Sequence, residues 1–274
     1  MSTFHAAACA EIMEALTKIS VAAAAAIRRY GNNDIRMKAD GSPVTAADEA
    51  AEDVIRSRLA RLEPALPVIA EERAELDKRV APDACYFLVD PLDGTRDFIA
   101  GHDEYTINIG LMDGGAPTLG IITAPALGWI WRGQIGRGAE RLRFAGDNIS
   151  AARAIQTRPR PHDGLHVMVS RSHLDPRTQA YVDSLPHAQR TACGSSLKFC
   201  RLAEGVADLY PRLAPTCDWD VAAGHAILAA AGGSVAEPAG TALVYGTADL
   251  RIPAFIASGR PEPRRTRPRT PRRL

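Results

Sequence analysis

The sequence predicts a mixed fold, an α+β half followed by an α/β half, and three observations carry that prediction. Apolar residues recur at helical spacing through the first thirty residues, two apolar β-type runs flank an Asp-Gly-Gly turn at 113–115, and strands alternate with helices after about residue 150. No internal repeat is visible. The 274 residues can bury a large core as one domain or as two halves. We therefore expect halves at 1–150 and 151–259, followed by a tail at 260–274.

The first half begins with an Ala-rich helix that turn residues end near position 31. Thr45 is expected to open a second helix that runs to about Leu62, where Pro64 closes it. The predicted strands of this half are Val68–Ala70, Cys85–Val89, 105–112, 118–123, and two short strands around Trp129–Trp131 and Gln134–Ile135.

The second half alternates strands with helices, which is typical of an α/β arrangement. The predicted strands are Leu165–Ser170, a short one before Gly194, Asp208–Tyr210, Ser234–Ala236 and Phe255–Ala257. The predicted helices are Pro176–Leu185, Ser195–Glu204 and Trp219–Ala231.

Charge is unevenly distributed along the chain. The formal net charge is +1, but the last fifteen residues hold seven Arg and one Glu, so the remaining body carries about −5. A mildly acidic body suits a cation-binding site and argues against broad nucleic-acid binding. The tail, with four Pro, is expected to be disordered, with at most a weak affinity for an anionic membrane surface.

Cysteine content and hydropathy limit the cellular compartments in which we expect the protein to act. Five cysteines form no C-x-x-C pair, which argues against a zinc site and a disulfide framework. No signal peptide is visible, and the apolar run from Ile19 to Ile27 is too short to cross a bilayer. We expect a cytoplasmic protein, with peripheral contact to the inner membrane face through the tail left open.

The stretch LVDPLDGTRDF at 88–98 places two carboxylates, Asp90 and Asp93, after an apolar run. Carboxylates about 5 Å apart repel by roughly 3 kcal/mol at an effective dielectric near 20. Three outcomes relieve this repulsion: one acid is protonated, an Arg or Lys intrudes, or a divalent cation binds. The Leu92 carbonyl between the acids and the absence of nearby His or Cys favour Mg²⁺ or Mn²⁺. The simpler alternative is a turn with an ion pair to Arg96.

Three other segments supply acids that could join this pair. Glu71-Glu72 follow the strand VIA, Asp220 opens the helix WDVAAGHAILAAAGG, and Asp48 lies in the pattern T-A-A-D. Asp220 and Asp48 each have a local explanation as helix-capping residues. Their combination with Asp90 and Asp93 is harder to explain by local structure alone.

Together these motifs resemble the metal-dependent, lithium-sensitive inositol monophosphatase superfamily. The matching elements are Glu71-Glu72, D-P-L-D-G-T at 90–95 and W-D-x-A-A-G at 219–224, and the resemblance covers about residues 38–259. S-R-S-H at 170–173 and GSSLKFC at 194–200 are similar to the 3′(2′),5′-bisphosphate nucleotidase branch, which removes the 3′-phosphate of adenosine 3′,5′-bisphosphate, a by-product of sulfate assimilation. The resemblance implies a layered αβαβα sugar-phosphatase-type fold with the active site between the two halves.

The resemblance also implies a metal-ligand set. One Mg²⁺ would be held by Glu71, Asp90 and the Leu92 carbonyl, and a second by Asp90, Asp93 and Asp220, with a third, weaker ion near Glu71. Lys38 would lie near that weaker ion, with a simple alternative as a residue of a solvated loop. Mn²⁺ is a possible substitute.

The resemblance assigns further residues to catalysis and to the substrate. Asp48 and Thr95 would activate the attacking water together with the metal. The nucleotide substrate would contact Glu71, Asp220 and 92–95, including Gly94, and in the second half Ser170, His173, Gly194 and Lys198. Lys198 also has a simple alternative as a solvated charge, and His173 as a helix-start residue. A monomer or a homodimer would be consistent with the family.

Other functions remain open at this point. An inositol or sugar monophosphatase would share the fold and differ in the second-half pocket. A non-catalytic anion-binding or nucleic-acid-binding protein would act through the basic tail. A Ser–His–Asp hydrolase is disfavoured, because no G-x-S-x-G motif surrounds Ser170 or Ser195.

Overall fold

The structure is a computed structural model that describes residues 6–31, 34–75, 77, 80–81 and 83–260, with side chains from residue 10 onward. The helices are α1 (Ala6–Arg29), α2 (Ala46–Leu59), α3 (Thr95–Ile99), α4 (Pro176–Asp183), α5 (Leu197–Ala203) and α6 (Asp218–Ala230). The strands of the first half are β1 (Ile35–Met37), β2 (Pro43–Thr45), β3 (Val68–Ala70), β4 (Tyr86–Asp93), β5 (Thr106–Asp113), β6 (Ala116–Ala124), β7 (Trp129–Gln134), β8 (Gly138–Ala145), β9 (Asn148–Ile149) and β10 (Arg153–Ile155). Those of the second half are β11 (His166–Ser170), β12 (Gln189–Cys193), β13 (Leu209–Arg212), β14 (Thr216–Cys217), β15 (Ser234–Ala236), β16 (Arg251–Ile252) and β17 (Phe255–Ser258).

A large sheet forms the centre of the first half. Its strand order is β10-β8-β7-β6-β5-β4-β3, with β9 paired to β8. Strand β10 pairs with β8, so this sheet extends to Ile155, five residues past the division expected at residue 150. Neighbouring strands are antiparallel except β3 and β4, which run parallel. The segments that follow β3 and β4 therefore leave the sheet at the same edge, which brings Glu71 next to the end of β4.

A smaller sheet forms the second half, with the order β12-β11-β13-β17-β15. Strands β12, β11 and β13 are parallel, whereas β17 is antiparallel to both β13 and β15. The hairpin β1–β2 and the pair β14–β16 lie outside both sheets.

The helices cover these sheets in layers. Helices α1 and α2 share a core with one face of the large sheet, where Leu16 and Ile55 lie in one cluster with Ile109. Helices α5 and α6 fill the space between the two sheets, and Phe199 of α5 lies 5.6 Å from Phe255 of the smaller sheet, ring centre to ring centre. Helix α4 covers the outer face of the smaller sheet. The expected αβαβα layering is confirmed.

A row of three paired glycines sets the distance between α6 and the large sheet. Gly110 of β5 pairs with Gly120 of β6, which pairs with Gly133 of β7. A Cβ atom on Gly120 would lie 2.2 Å from the carbonyl oxygen of Ala223 in α6. The row lets the Ala-rich helix α6 pack directly on the sheet. This packing sets the distance between the sheet and the first turn of α6, which carries Asp220.

We expect Gly120→Ala to destabilise the fold by about 1–3 kcal/mol, because α6 must move away from the sheet. Gly259→Ala is the matched control, since its Cβ would meet nothing nearer than 3.6 Å. Urea unfolding of both variants measures the difference. Equal stabilities would contradict the close approach of α6 as the reason for the glycine row.

Several predicted element bounds were wrong, each for a local reason. Helix α2 ends at Leu59 instead of Leu62, because the amides of Arg61 and Leu62 make i→i+3 hydrogen bonds in place of helical i→i+4 bonds. Strand β4 continues to Asp93 and does not stop at Val89. The separate strand expected at Gln134–Ile135 does not exist, because Gln134 ends β7 and a turn leads to β8, which the sequence analysis missed.

Two further sequence-based expectations concern membrane-spanning helices and the C-terminal tail. Among the described residues no helix combines the length and apolar character needed to cross a membrane. The predicted disorder of the Arg/Pro-rich tail concerns 260–274, of which only Arg260 lies within the described residues.

Candidate active site

The end of β4 carries two of the predicted ligands in an irregular stretch of strand. The pairing of β4 with β5 shifts between Asp90, which opposes Asn108, and Asp93, which opposes Thr106. Such a bulge turns side chains away from the regular alternation. The amide of Leu92 donates to Asp90 Oδ1 at 3.0 Å, and both acids line the same cleft.

Two further elements bring acids to the same point. Glu71 begins a single 3₁₀ turn directly after β3, and Asp220 is the third residue of α6. One carboxylate oxygen from each of Glu71, Asp90 and Asp220 lies within 4.8 Å of the others. Residues separated by 149 positions in the chain thus converge, as the motifs predicted.

The electrostatics of this cluster call for a cation. Burial, followed by the charges of Glu71 and Asp93, raises the pKa of Asp90 well above its ordinary value. Burial raises the pKa of Glu71 to about 8, with Glu72 and Asp220 adding to the effect. Burial and the charge of Asp93 raise the pKa of Asp220. Carboxylates at this spacing, with no His or Cys among them, are the oxygen donors that Mg²⁺ or Mn²⁺ prefers, so the donor set fits the predicted metal.

Asp93 is placed at the side of this cluster by the second half of the chain. Its Oδ2 accepts hydrogen bonds from the amide and hydroxyl of Ser196, at 2.7 and 2.6 Å. Asn108 supports this arrangement by donating to the Ser196 hydroxyl at 2.8 Å. The Leu92 carbonyl lies 3.2 Å from the Thr95 hydroxyl. Asp93 therefore keeps one carboxylate oxygen available while its other oxygen is held in place.

Lys38 contacts the acidic cluster from the hairpin β1–β2. Its ammonium lies 2.8 Å from carboxylate oxygens of both Glu71 and Glu72. A basic side chain is one of the three ways of relieving carboxylate repulsion that the sequence analysis considered. Here the Lys38 ammonium contacts Glu71 and Glu72 of the cluster. Lys38 is thus found near the position expected for the weaker ion.

A pH dependence of stability follows from the two glutamates. Burial raises the pKa of Glu71 to about 8 and that of Glu72 to about 7, both from 4.5. Because the folded state holds these protons more tightly than the unfolded state, stability should fall as pH rises through this range. The window of pH 6.5–8 is the cleanest, since His225, whose pKa burial lowers to about 4, is neutral there in the folded state.

We therefore expect chelator-treated protein to lose stability between pH 6.5 and 8, and Glu71→Gln to flatten that slope. Urea unfolding at four pH values across the window measures both. A wild-type protein whose stability rises over this window would contradict the charge arrangement described here.

Asp48 and Thr95 form a hydrogen-bonded pair at the cleft. Asp48 is 1% exposed and its Oδ2 accepts from the Thr45 amide at 2.9 Å and the Thr45 hydroxyl at 2.6 Å. Its Oδ1 accepts from the Thr95 hydroxyl at 3.1 Å. Burial raises the pKa of Asp48, although these hydrogen bonds oppose the change. The capping box predicted at Thr45 is present, and Asp48 serves it with one oxygen while the other reaches Thr95.

The structure brings three of the four predicted second-half residues to the cleft. Ser170, His173 and Lys198 line it, together with Gly94 and Thr95. Lys198 is 2% exposed and donates to the carbonyls of Cys193 and Ser195, so it is not the solvated charge considered as an alternative. Burial and nearby Arg212 lower the pKa of His173.

Gly194 lies behind the residues that line the cleft. Its amide donates to Glu104 Oε2 at 2.6 Å, and a Cβ atom at this position would lie 2.5 Å from the Glu104 carbonyl oxygen. Packing against Glu104 explains the glycine without a ligand. A contact between Gly194 and substrate therefore stays a prediction.

Several other residues that line the cleft had no role predicted from the sequence. They include Ser196, Tyr210, Arg212 and Trp219. Arg212 ends β13 in the motif LYPR, and a charge at the end of an otherwise buried strand was the signal that could have identified it. The cleft has a volume of about 340 Å³ and takes its walls from both halves, which is where the sequence analysis expects the active site.

The layered fold and the acidic cleft between its halves place the chain among the metal-dependent phosphatases. Comparison with known proteins identifies the family. The chain belongs to the inositol monophosphatase family, whose family model matches residues 8–267.

Curated relatives and solved structures agree with this assignment. The protein of Escherichia coli K12 named 3′(2′),5′-bisphosphate nucleotidase CysQ is 44% identical over 213 residues, which cover 77% of this chain and 83% of that protein. The CysQ of Buchnera aphidicola is 36% identical over 82% of both chains. The crystal structure of CysQ from Bacteroides thetaiotaomicron superimposes with a TM-score of 0.77 at 31% identity, covering 92% of this chain and 98% of that one. An inositol monophosphatase from Anabaena superimposes with a TM-score of 0.72 at 25% identity, covering 92% of each chain.

Proposed function

We propose that this protein is a Mg²⁺-dependent phosphatase that hydrolyses the 3′-phosphate of adenosine 3′,5′-bisphosphate to AMP and inorganic phosphate, with 3′-phosphoadenylyl sulfate as a possible second substrate. The observation that carries the proposal is a single cleft that is lined both by an acidic cluster and by the basic residues Lys198 and Arg212. Such a cleft suits a small molecule with two anionic groups. The relatives named as bisphosphate nucleotidases support the same substrate.

The ligand roles in this proposal are those given by the resemblance. Glu71, Asp90 and the Leu92 carbonyl would hold one Mg²⁺, and Asp90, Asp93 and Asp220 a second. When bound, the ions would lower the pKa of water and neutralise charge on the phosphate oxygens. Ser196 and Thr216 support this assignment, because each occupies one oxygen of Asp93 or Asp220 and leaves the other available.

The protein's own residues would direct the proton of the attacking water. The Thr95 hydroxyl donates to Asp48 Oδ1, which leaves the Thr95 oxygen free to accept a hydrogen bond from water. Asp48 would orient Thr95 and accept its hydroxyl proton as Thr95 accepts one proton from the attacking water; Asp48 would then return that proton to solvent. The water oxygen forms a bond to phosphorus, the bond from phosphorus to the 3′-oxygen breaks, and the 3′-oxygen takes up one proton from solvent water.

Phosphate release from two substrates tests the proposal. With Mg²⁺ present we expect turnover of adenosine 3′,5′-bisphosphate to exceed that of inositol 1-phosphate by at least ~10²-fold, and excess chelator to abolish both. Comparable turnover of the inositol ester with none of the nucleotide would overturn the substrate and leave the family assignment intact. That second candidate, an inositol or sugar monophosphatase, is favoured by the fold shared with inositol monophosphatases such as the Anabaena enzyme.

Deletion of the basic tail tests whether this segment attracts the protein to a membrane. We propose a cytoplasmic enzyme, monomer or homodimer, in which 260–274 adds at most a weak attraction to anionic membrane. Deleting residues 261–274 should leave phosphatase turnover within about twofold and remove any sedimentation with vesicles that contain phosphatidylserine. Loss of turnover on deletion would support instead a function carried by the tail.

A further inference from the structure

The segment 170–173, which follows β11, brings two predicted substrate contacts to the cleft, Ser170 and His173. The two residues between them are exposed. Their main-chain bonds stay within the second half: the amide of Arg171 donates to the Cys193 carbonyl at 3.3 Å, and the amide of His173 donates to the Ser170 hydroxyl at 3.1 Å. An exposed segment of this kind is held weakly by its own backbone, so its position relative to the first half depends on side-chain contacts.

The side chain of Arg171 joins this segment to the first half of the chain. Ser170 and Ser172 on either side of it line the cleft, whereas the guanidinium of Arg171 contacts two acids. Its Nη2 lies 2.7 Å from Glu104 Oε2, and its Nη1 lies 3.6 Å from Asp97 Oδ1. Both acids belong to the stretch between β4 and β5, directly after the D-G-T motif. The contact therefore ties a substrate-binding segment of one half to the catalytic motif of the other.

Glu104 makes a second contact across the same boundary. The Oε2 atom that contacts Arg171 also accepts the Gly194 amide at 2.6 Å. The backbones approach closely here, since a Cβ on Gly194 would lie 2.5 Å from the Glu104 carbonyl oxygen and 2.9 Å from Asp97 Oδ2. One carboxylate of the first half thus holds two separate segments of the second half, one that follows β11 and one that follows β12.

Asp97 gives this contact a fixed base in the first half. It is 4% exposed and lies in α3, and its Oδ1 is 2.9 Å from His102 Nδ1. The carbonyl of Asp97 also accepts the His102 amide at 2.8 Å, which closes the turn after α3. A buried carboxylate is costly when positive charge moves away from it, so Asp97 favours the arrangement in which Arg171 stays in place.

We propose that Glu104 and Arg171 are positioning residues that hold the substrate contacts of the second half in register with the metal site, so that a nucleotide bound across the cleft places its 3′-phosphate at Thr95. This inference rests on the proposed function. Neither residue touches the substrate; both act through the segments they hold. The acidic cluster does not depend on the pair, because Asp90 lies on the large sheet and the helix that carries Asp220 packs against that sheet. Binding of phosphate alone should therefore be independent of the pair.

The test compares a ligand that spans both halves, adenosine 3′,5′-bisphosphate, with inorganic phosphate, which needs only the metal site. We expect Arg171→Met to lower kcat/KM for the bisphosphate by about 10–100-fold, through both kcat and KM, because a misplacement of about 1 Å can cost this much. The inhibition constant of phosphate should stay within about twofold. Arg171→Lys keeps a cation beside Glu104 and should recover most of the loss.

Glu104→Gln completes the comparison. It removes the charge that holds Arg171 and should lower kcat/KM by about 10-fold. Adding Arg171→Met to this variant should cause little further loss, since both substitutions break the same contact. A merely structural role would reduce kcat through the folded fraction and leave KM unchanged.

Arg190→Met is the matched control. Arg190 pairs with Asp183 at 3.0 Å within the second half, so its replacement breaks an exposed ion pair without affecting the contact between the halves, and all constants should stay within about twofold. A kcat/KM for Arg171→Met within threefold of wild type, a loss in kcat alone, or an equal weakening of phosphate binding would overturn the inference while the proposed function stands. If the wild-type enzyme does not hydrolyse the bisphosphate, the proposed function fails and this positioning role fails with it.

Discussion

Replacing Asp90 by Asn should lower kcat/KM for adenosine 3′,5′-bisphosphate by at least ~10³-fold while making the metal-free protein more stable. Asp90 is 1% exposed, and the charges of Glu71, Asp93 and Asp220 all act on it. An amide of the same shape cannot ionise, so it removes the cost of burying this acid among the other carboxylates. It also removes the carboxylate proposed to bridge two ions, so a gain in stability should accompany the loss of activity.

Two measurements separate these effects. Thermal unfolding in chelator should give a higher Tm for Asp90→Asn than for wild type, and added Mg²⁺ should raise the Tm of wild type but barely that of the variant, since stabilisation by a ligand requires its binding site. Phosphate release gives the loss of activity. A lower Tm in chelator would indicate that Asp90 stabilises the fold and is not a strained metal ligand.

Asp208→Asn is a control for which we expect the opposite result, a loss of stability with activity retained. Asp208 is also buried, but it accepts hydrogen bonds from Arg158 and from the His166 amide, which help to lower its pKa, and it lies outside the cleft. Its replacement should destabilise the protein by about 1–3 kcal/mol and leave turnover within about twofold. If Asp90→Asn gains stability and loses activity while Asp208→Asn does the reverse, the neighbouring carboxylates, and not burial alone, explain the behaviour of Asp90.

The elements that the sequence predicts well are those whose signal is local. The period of Leu16, Ile19 and Ile27 identifies α1, and the Thr45 capping box marks the start of α2 within one residue. The strand β8 was missed because Arg141 and Arg143 interrupt its apolar pattern. Both arginines stack on Trp129 of the neighbouring strand, a stabilisation that no local pattern shows.

The acidic cluster was predictable because its three motifs are specific in combination, although each one alone has a simple structural explanation. The contacts around it were not predictable from spacing. The contact of Lys38 with Glu71 depends on where the hairpin β1–β2 lies, and the free Nε of Arg212 depends on which neighbours fail to reach it. Both are products of tertiary packing between segments far apart in the chain.

Asp48 combines a structural and a proposed catalytic role, and its two oxygens divide them. Oδ2 completes the capping box of α2 with Thr45, and Oδ1 accepts from Thr95. An amide oxygen can still accept from Thr45, so Asp48→Asn should keep the helix cap. It removes the negative charge that would draw a proton toward Thr95.

We therefore expect Asp48→Asn to lower kcat by about 10²–10⁴-fold with KM changed only a few-fold, and to change stability by no more than about 1 kcal/mol. Asp175→Asn is the matched control, because Asp175 caps α4 through the amides of Arg177 and Thr178 and lies outside the cleft. Steady-state kinetics and urea unfolding of both variants decide between the roles. If Asp48→Asn keeps wild-type kcat, Asp48 is a helix cap like Asp175, and the proton of the attacking water must leave by another path. A low kcat with intact stability would instead support the Asp48–Thr95 pair as the group that activates the water.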